Sequence, residues 1–159
     1  MPSLSCGPAQ FAEAYRYIAY NVFDAPPPSI VSATLHDSVW SVRTVLFENS
    51  KSLRNLASTI DRTRTLSNAE ALALTETVRL SLFWSTPDPY ESQPEGLSDG
   101  GPWVIEARRN DSYQAVRRWD PREEPIQTLG VMLVKLGGLR YELWTQPPEL
   151  PPIPPPGSR

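Results

Sequence analysis

The alternation of apolar and polar positions is clearest between Ser29 and Phe47. Val31, Ala33 and Leu35 alternate with Ser32, Thr34 and His36, and Val39 to Leu46 resumes the same period of two after Asp37-Ser38. A two-residue loop at Asp37-Ser38 would pair Leu35 with Trp40 and Ala33 with Val42 on one face. The same register pairs Thr34 with Ser41 on the other, so like meets like and a β-hairpin is predicted. Asp-Ser is a weaker turn pair than Asn-Gly, which leaves the loop length open by a residue.

Other stretches carry the helical period. Upstream, Pro8 suits a first helical turn, and Phe11, Tyr15 and Ile18 follow at spacings of four and three. These predict a helix that stops before Pro26-Pro27-Pro28. Between Leu53 and Thr65 the pattern fits either a helical face (Leu53, Leu56, Ile60) or a polar edge strand from Ser58 to Arg64; the strand is the preferred reading. Ser67 and Glu70 form a capping box behind Leu66, and Ala71, Leu74, Val78 and Leu82 then make one apolar face, ended by Pro87. Tyr90 to Asp99 reads as a loop.

A second hairpin spans Trp103 to Trp119. A two-residue loop pairs Ile105 with Val116, whereas a three-residue loop pairs Trp103 with Trp119, and the pattern alone leaves both open. Ile126, Leu129, Leu133 and Leu136 then predict the most buried helix, closed by Gly137-Gly138. Leu139 to Trp144 is a short apolar strand or extended segment, and the seven prolines between Pro147 and Pro156 favour polyproline II.

The expected fold is therefore α+β: an antiparallel sheet of four to five strands with helices mainly on one face, in the order helix, ββ, helix, ββ, helix. Residues 1–7 read as a disordered lead-in, 8–144 as one domain and 145–159 as a flexible proline-rich tail. At 159 residues and 40% hydrophobic content the chain is long enough to bury a core.

Charge and residue inventory narrow the chemistry. A net charge of −3 and the lack of any Lys/Arg block oppose nucleic-acid binding; Arg108-Arg109 and Arg117-Arg118 are only pairs. One cysteine excludes an internal disulfide, and one histidine excludes His/Cys metal sites. No EF-hand spacing, Gly-rich phosphate loop or cofactor motif occurs, and no apolar run approaches a membrane span. Oligomeric state leaves no mark in the pattern. As written, the chain reads as cytoplasmic. Leu4-Ser5-Cys6-Gly7 faintly resembles a lipid-attachment site, and a leader upstream of Cys6 would make the protein periplasmic or envelope-bound.

Glu13-Ala14-Tyr15-Arg16, Phe83-Trp84-x-x-Pro87, Asp99-Gly100-x-x-Trp103-x-Ile105-Glu106, Tyr113-x-x-Val116-x-Arg118-Trp119-x-Pro121 and Leu129-Gly130 together resemble a family of small bacterial proteins. The likeness spans most of Glu13 to Leu139. It implies a domain and no activity. That family has a histidine after the tyrosine, where this chain has Gln114.

The second hairpin is the candidate surface. Trp103, Glu106, Tyr113, Arg117, Arg118 and Trp119 combine aromatic and guanidinium groups, the types that dominate binding hot spots. The plainer reading is a solvated cross-strand ion pair between Glu106 and Arg117 or Arg118, worth at most about 1 kcal/mol. The leading expectation is a non-enzymatic interaction module that meets a protein partner through this hairpin. The alternatives are a lipid-anchored envelope protein resting on Cys6, and a hydrolase-like enzyme using a carboxylate pair such as Glu106 and Asp120. The enzyme reading needs a concave site around Glu106; His36 is better explained as an exposed residue beside a loop. No catalytic or metal-binding residue is assigned.

Overall fold

A computed structural model describes residues 4–5, 11–19, 28–47, 58–86, 102–119 and 125–139, without the side chains of residues 102 and 119. Its strands are β1 (Glu13–Ala19), β2 (Ser29–His36), β3 (Val39–Phe47), β4 (Ser58–Thr65), β5 (Pro102–Arg109) and β6 (Ser112–Trp119). The helices are α1 (Asn68–Leu80) and α2 (Pro125–Leu136), with a 3-10 turn at Phe83–Ser85. All six strands form one antiparallel sheet in the order β4-β3-β2-β1-β5-β6.

The α+β class and the antiparallel sheet match the sequence pattern, but the element count does not. The segment expected as the first helix is instead β1, so among the described residues there are six strands and two α-helices. β1 lies between the hairpins, pairing with β2 on one side and β5 on the other. Its run Glu-Ala-Tyr-Arg-Tyr-Ile-Ala is rich in residues that fit a pleated surface. A central strand is covered on both faces, which erases the alternation that would announce it. The stretch read as a strand from Ser58 is β4, with all eight residues exposed; Asp61, Arg62 and Arg64 suit a sheet edge.

Both hairpins close through two residues. β2 and β3 pair Leu35 with Trp40, Thr34 with Ser41 and Ala33 with Val42. Asp37 and Ser38 take φ of 46° and 65°, as a turn matched to the strand twist requires. In the second hairpin Ile105 faces Val116 across the Asn110-Asp111 turn, which settles the open register.

One sheet face carries the helices. Tyr15, Tyr17, Val31, Ala33, Val42, Trp103, Ile105 and Val116 are buried there with Leu74 and Val78 of α1 and Ile126, Leu129, Leu133 and Val134 of α2. α2 lies against β1 and β2, and α1 against α2. α2 is the more buried helix, as its wide apolar arc predicts. Gly130 allows this closeness: a Cβ there would stand 2.5 Å from Trp103 Cζ3.

The helix ends follow local chemistry. Ser67 and Glu70 make the reciprocal capping box, and Arg64 grips the same carboxylate at 2.7 and 3.0 Å. These bonds pull the Glu70 carboxyl down to about 2. At the end of α2 the Gly138 amide donates to Lys135 O and the Leu139 amide to Val134 O, with Gly138 at φ 66°: a Schellman motif. Arg62 and Arg64 of β4 donate to Gly137 O and Leu136 O, so the exposed edge strand satisfies the carbonyls of a buried helix. The expected strand or extended segment at 139–144 lies outside the described residues beyond Leu139, as do the loop at 90–99 and the proline-rich tail.

Candidate functional site

Strand parity divides the expected surface residues. Trp103 and Arg118 face each other in the β5–β6 register, on the helix side of the sheet. Trp103 is buried there, edge-on to Tyr17 at 5.2 Å, and belongs to the core instead of a binding patch. Glu106, Tyr113 and Arg117 share the opposite face. Trp119 pairs with Pro102 at the far end of the hairpin. The sheet thus brings three of the six together.

That second face is ordered in rows across all six strands. The central row is Thr63, Arg43, Ser32, Arg16, Glu106 and Ala115, each paired with the next. Beside it run Val45, Ile30, Ile18 and Val104, with Asp61 and Arg117 at the ends. On the other side lie Ser41, Thr34, Ala14, Arg108 and Tyr113. A charged line at mid-sheet therefore separates an apolar row from a polar one.

The centre of the line is a buried ion pair. Arg16 Nη1 stands 3.4 Å from Glu106 Oε2, and the two side chains are only 8% and 9% exposed. Arg16 Nε donates to Ser32 Oγ at 3.2 Å, and the Tyr113 hydroxyl donates to Glu106 Oε1 at 3.1 Å. Burial draws the Arg16 guanidinium below its ordinary acidity constant, with the Glu106 charge opposing that shift. The expected ion pair of Glu106 thus exists in a different form: its partner is Arg16 of β1, and it is buried instead of solvated. Arg16 was invisible to the sequence reading because residues 13–19 carried a helical assignment. Polarity does not alternate there; the remaining signal is the run Tyr15-Arg16-Tyr17-Ile18, whose aromatic and β-branched residues suit a strand.

A further segment is seated at this centre. The Leu4 amide donates to Glu106 Oε2 at 3.4 Å, and Arg108 Nη1 donates to the Leu4 carbonyl at 3.3 Å. Leu4 itself is buried.

On the helix side, a second polar cluster ties the 3-10 turn to the sheet. The Tyr15 hydroxyl donates to Glu13 and accepts from Trp84 Nε1 at 3.2 Å and from Arg109 Nη2 at 2.9 Å. Arg109 also binds Glu13 at 2.6 Å and lies 5.2 Å from the centre of the Trp84 ring. Burial first, and the Glu13 carboxylate second, push the Tyr15 phenol upward, so it stays protonated and acts as a donor. Gln114 directs its amide nitrogen at Phe83 O and Thr86 O, at 2.7 and 2.6 Å. Gln114 is thus a clamp on two backbone carbonyls. A neutral histidine would bring one N–H to that task, and the amide brings two.

His36 is exposed and pairs with Asp37. Among the described residues, no group of three or more His, Cys, Asp and Glu is placed to hold a metal ion. No helix among them is long and apolar enough to cross a membrane. The class these features define is an α+β protein on one six-stranded antiparallel sheet, helices on one face and a charged row on the other. No protein-family model matches the chain, and no curated protein matches it.

Proposed function

We propose that this protein is a non-enzymatic binding module that meets a polypeptide partner through the face of the second hairpin opposite α1 and α2. The observation that carries this reading is the seating of Leu4: Glu106 and Arg108, two residues apart on β5, take the N–H and C=O of one backbone residue from elsewhere in the chain. Side chains arranged to hold a peptide backbone have the chemistry of recognition. Tyr113 and Arg117 stand beside them with exposed side chains, supplying groups enriched at binding hot spots. Both oxygens of Glu106 accept hydrogen bonds from this setting, which favours a holding role over proton transfer.

A phage-displayed peptide library selected on the full-length protein tests the proposal. Peptides enriched on the parent should weaken about tenfold, roughly 1.4 kcal/mol, against Tyr113→Ala or Arg117→Ala. Equal affinity for parent and both variants refutes the assignment of this hairpin as the binding surface.

A further inference from the structure

The hydrogen bonds at Leu4 carry information about what the face accepts. Glu106 and Arg108 point the same way from β5, one an acceptor and the other a donor. The backbone of a single residue offers the complementary pair, and Leu4 uses both groups over a separation of 102 and 104 residues along the chain. Backbone groups are common to all peptides, so this part of the clamp tolerates any sequence. Selectivity must come from the side chain, and here it is a leucine at 9% exposure.

We propose that the face of the sheet opposite α1 and α2, around Glu106 and Arg108, is a docking site for a short leucine-bearing peptide segment. In the free protein the chain's own Leu4–Ser5 occupies the site and competes with the partner. This deepens the binding-module reading and rests on it. A helix is excluded as the occupant at this point, because the interior N–H and C=O groups of a helix are already paired and offer nothing to Glu106 and Arg108. The occupant must present an unpaired backbone, as an extended strand or a turn does.

A tethered segment acts at an effective concentration on the order of millimolar, so a weak intrinsic contact keeps the site largely filled. A competing peptide then sees only the vacant fraction, and its apparent affinity is reduced in proportion. Unseating Leu4 removes that reduction.

The experiment compares the full-length parent with full-length Leu4→Asp. Its probe is a fluorescein-labelled peptide of residues 1–9 with Cys6→Ser, followed by anisotropy. Leu4→Asp should bind the probe about tenfold or more tightly than the parent does. Adding Arg108→Ala to Leu4→Asp should remove that gain, and a probe carrying Leu4→Asp should not bind. Thermal melts check that each variant is folded. Equal probe binding by parent and Leu4→Asp overturns the self-occupancy proposal, as does a gain that survives Arg108→Ala. If library-selected peptides still depend on Tyr113 or Arg117 in that case, the binding-module reading stands while this inference falls. If neither probe nor library peptide senses the face, both fall.

Discussion

Neutralising Glu106 tests the arrangement of the second face most directly. Glu106→Gln keeps the shape of the side chain and an acceptor for the Tyr113 hydroxyl, but leaves the Arg16 guanidinium buried opposite a neutral amide. Removing one partner of a buried pair costs about 3–5 kcal/mol, because the remaining charge has lost its compensation. At 3.4 Å this contact is longer than the strongest charge-assisted bonds, so the lower figure, about 3 kcal/mol, is the expected loss. For a chain of this size that corresponds to a fall in Tm of roughly 6–12 °C.

Urea unfolding followed by tryptophan fluorescence measures the effect. The midpoint should fall with the slope unchanged, since the surface exposed on unfolding is nearly the same. The double variant Arg16→Met/Glu106→Gln should be more stable than the sum of the two losses predicts, with a coupling of about 1–3 kcal/mol. A Glu106→Gln loss under about 0.5 kcal/mol with no coupling to Arg16 would show that the charges are solvated in solution, and the reasoning would be refuted.

Gly130→Ala should destabilise by about 1–3 kcal/mol in the same assay, although alanine is the better helix former, because its methyl group meets the buried Trp103 ring. Leu82 sits at φ 52° just after α1 with its side chain exposed, so Leu82→Gly should stabilise by about 0.5–1 kcal/mol; a loss would mean that the leucine makes contacts that outweigh its backbone strain. Glu70 titrates in the folded chain at about 2, below its ordinary 4.5, so its contribution is complete above about pH 4.5 and is lost as pH falls towards 2. Glu70→Gln should flatten stability against pH across that window, and an unchanged slope would place the acid sensitivity elsewhere. Gln114→Ala takes the side-chain donor from the carbonyls of Phe83 and Thr86, leaving Phe83 O only the Thr86 amide among the described partners, and should cost about 1–3 kcal/mol with faster amide exchange around residues 81–86.

Much of this fold was legible wherever one face of an element meets water. The β2–β3 register followed from matching apolar and polar partners across Asp37-Ser38, and α1 announced itself through Ser67 and Glu70. β1 was not legible. Tyr15, Arg16 and Tyr17 are all buried, so polarity does not alternate along it, while Phe11, Tyr15 and Ile18 happen to match a helical spacing. That one misreading hid the centre of the candidate site, because the partner of Glu106 stands on β1. It also left Trp103 on the wrong side of the argument: an aromatic residue in a hairpin gives no sign of which face it takes until the register is known.

The two faces of the sheet pose different demands on whatever covers them. The helix side is mainly apolar in β1, β2, β3 and β5, with Val116 from β6, and packed helices with satisfied backbones cover that core without loss. The other side has Arg16, Glu106 and Arg108 at its middle, and an apolar helix laid across them would strip charged groups of water without returning hydrogen bonds. Only a segment with backbone groups to spare can cover that row and satisfy it. A buried ion pair is weak evidence for stability, and an apolar pair in its place is often as stable or more so. Its better-supported value is selection among alternatives, and on the proposal above the charged row would admit a segment with unpaired backbone groups, such as the turn at Leu4–Ser5, and reject an apolar helix. Replacing Arg16 and Glu106 together by Met and Leu should therefore leave the sheet folded while abolishing the seating of Leu4, seen as loss of protection from exchange at the Leu4 amide. Retention of that protection would mean that Leu4 is held by Arg108 and its own side chain, and that the Arg16–Glu106 pair selects nothing.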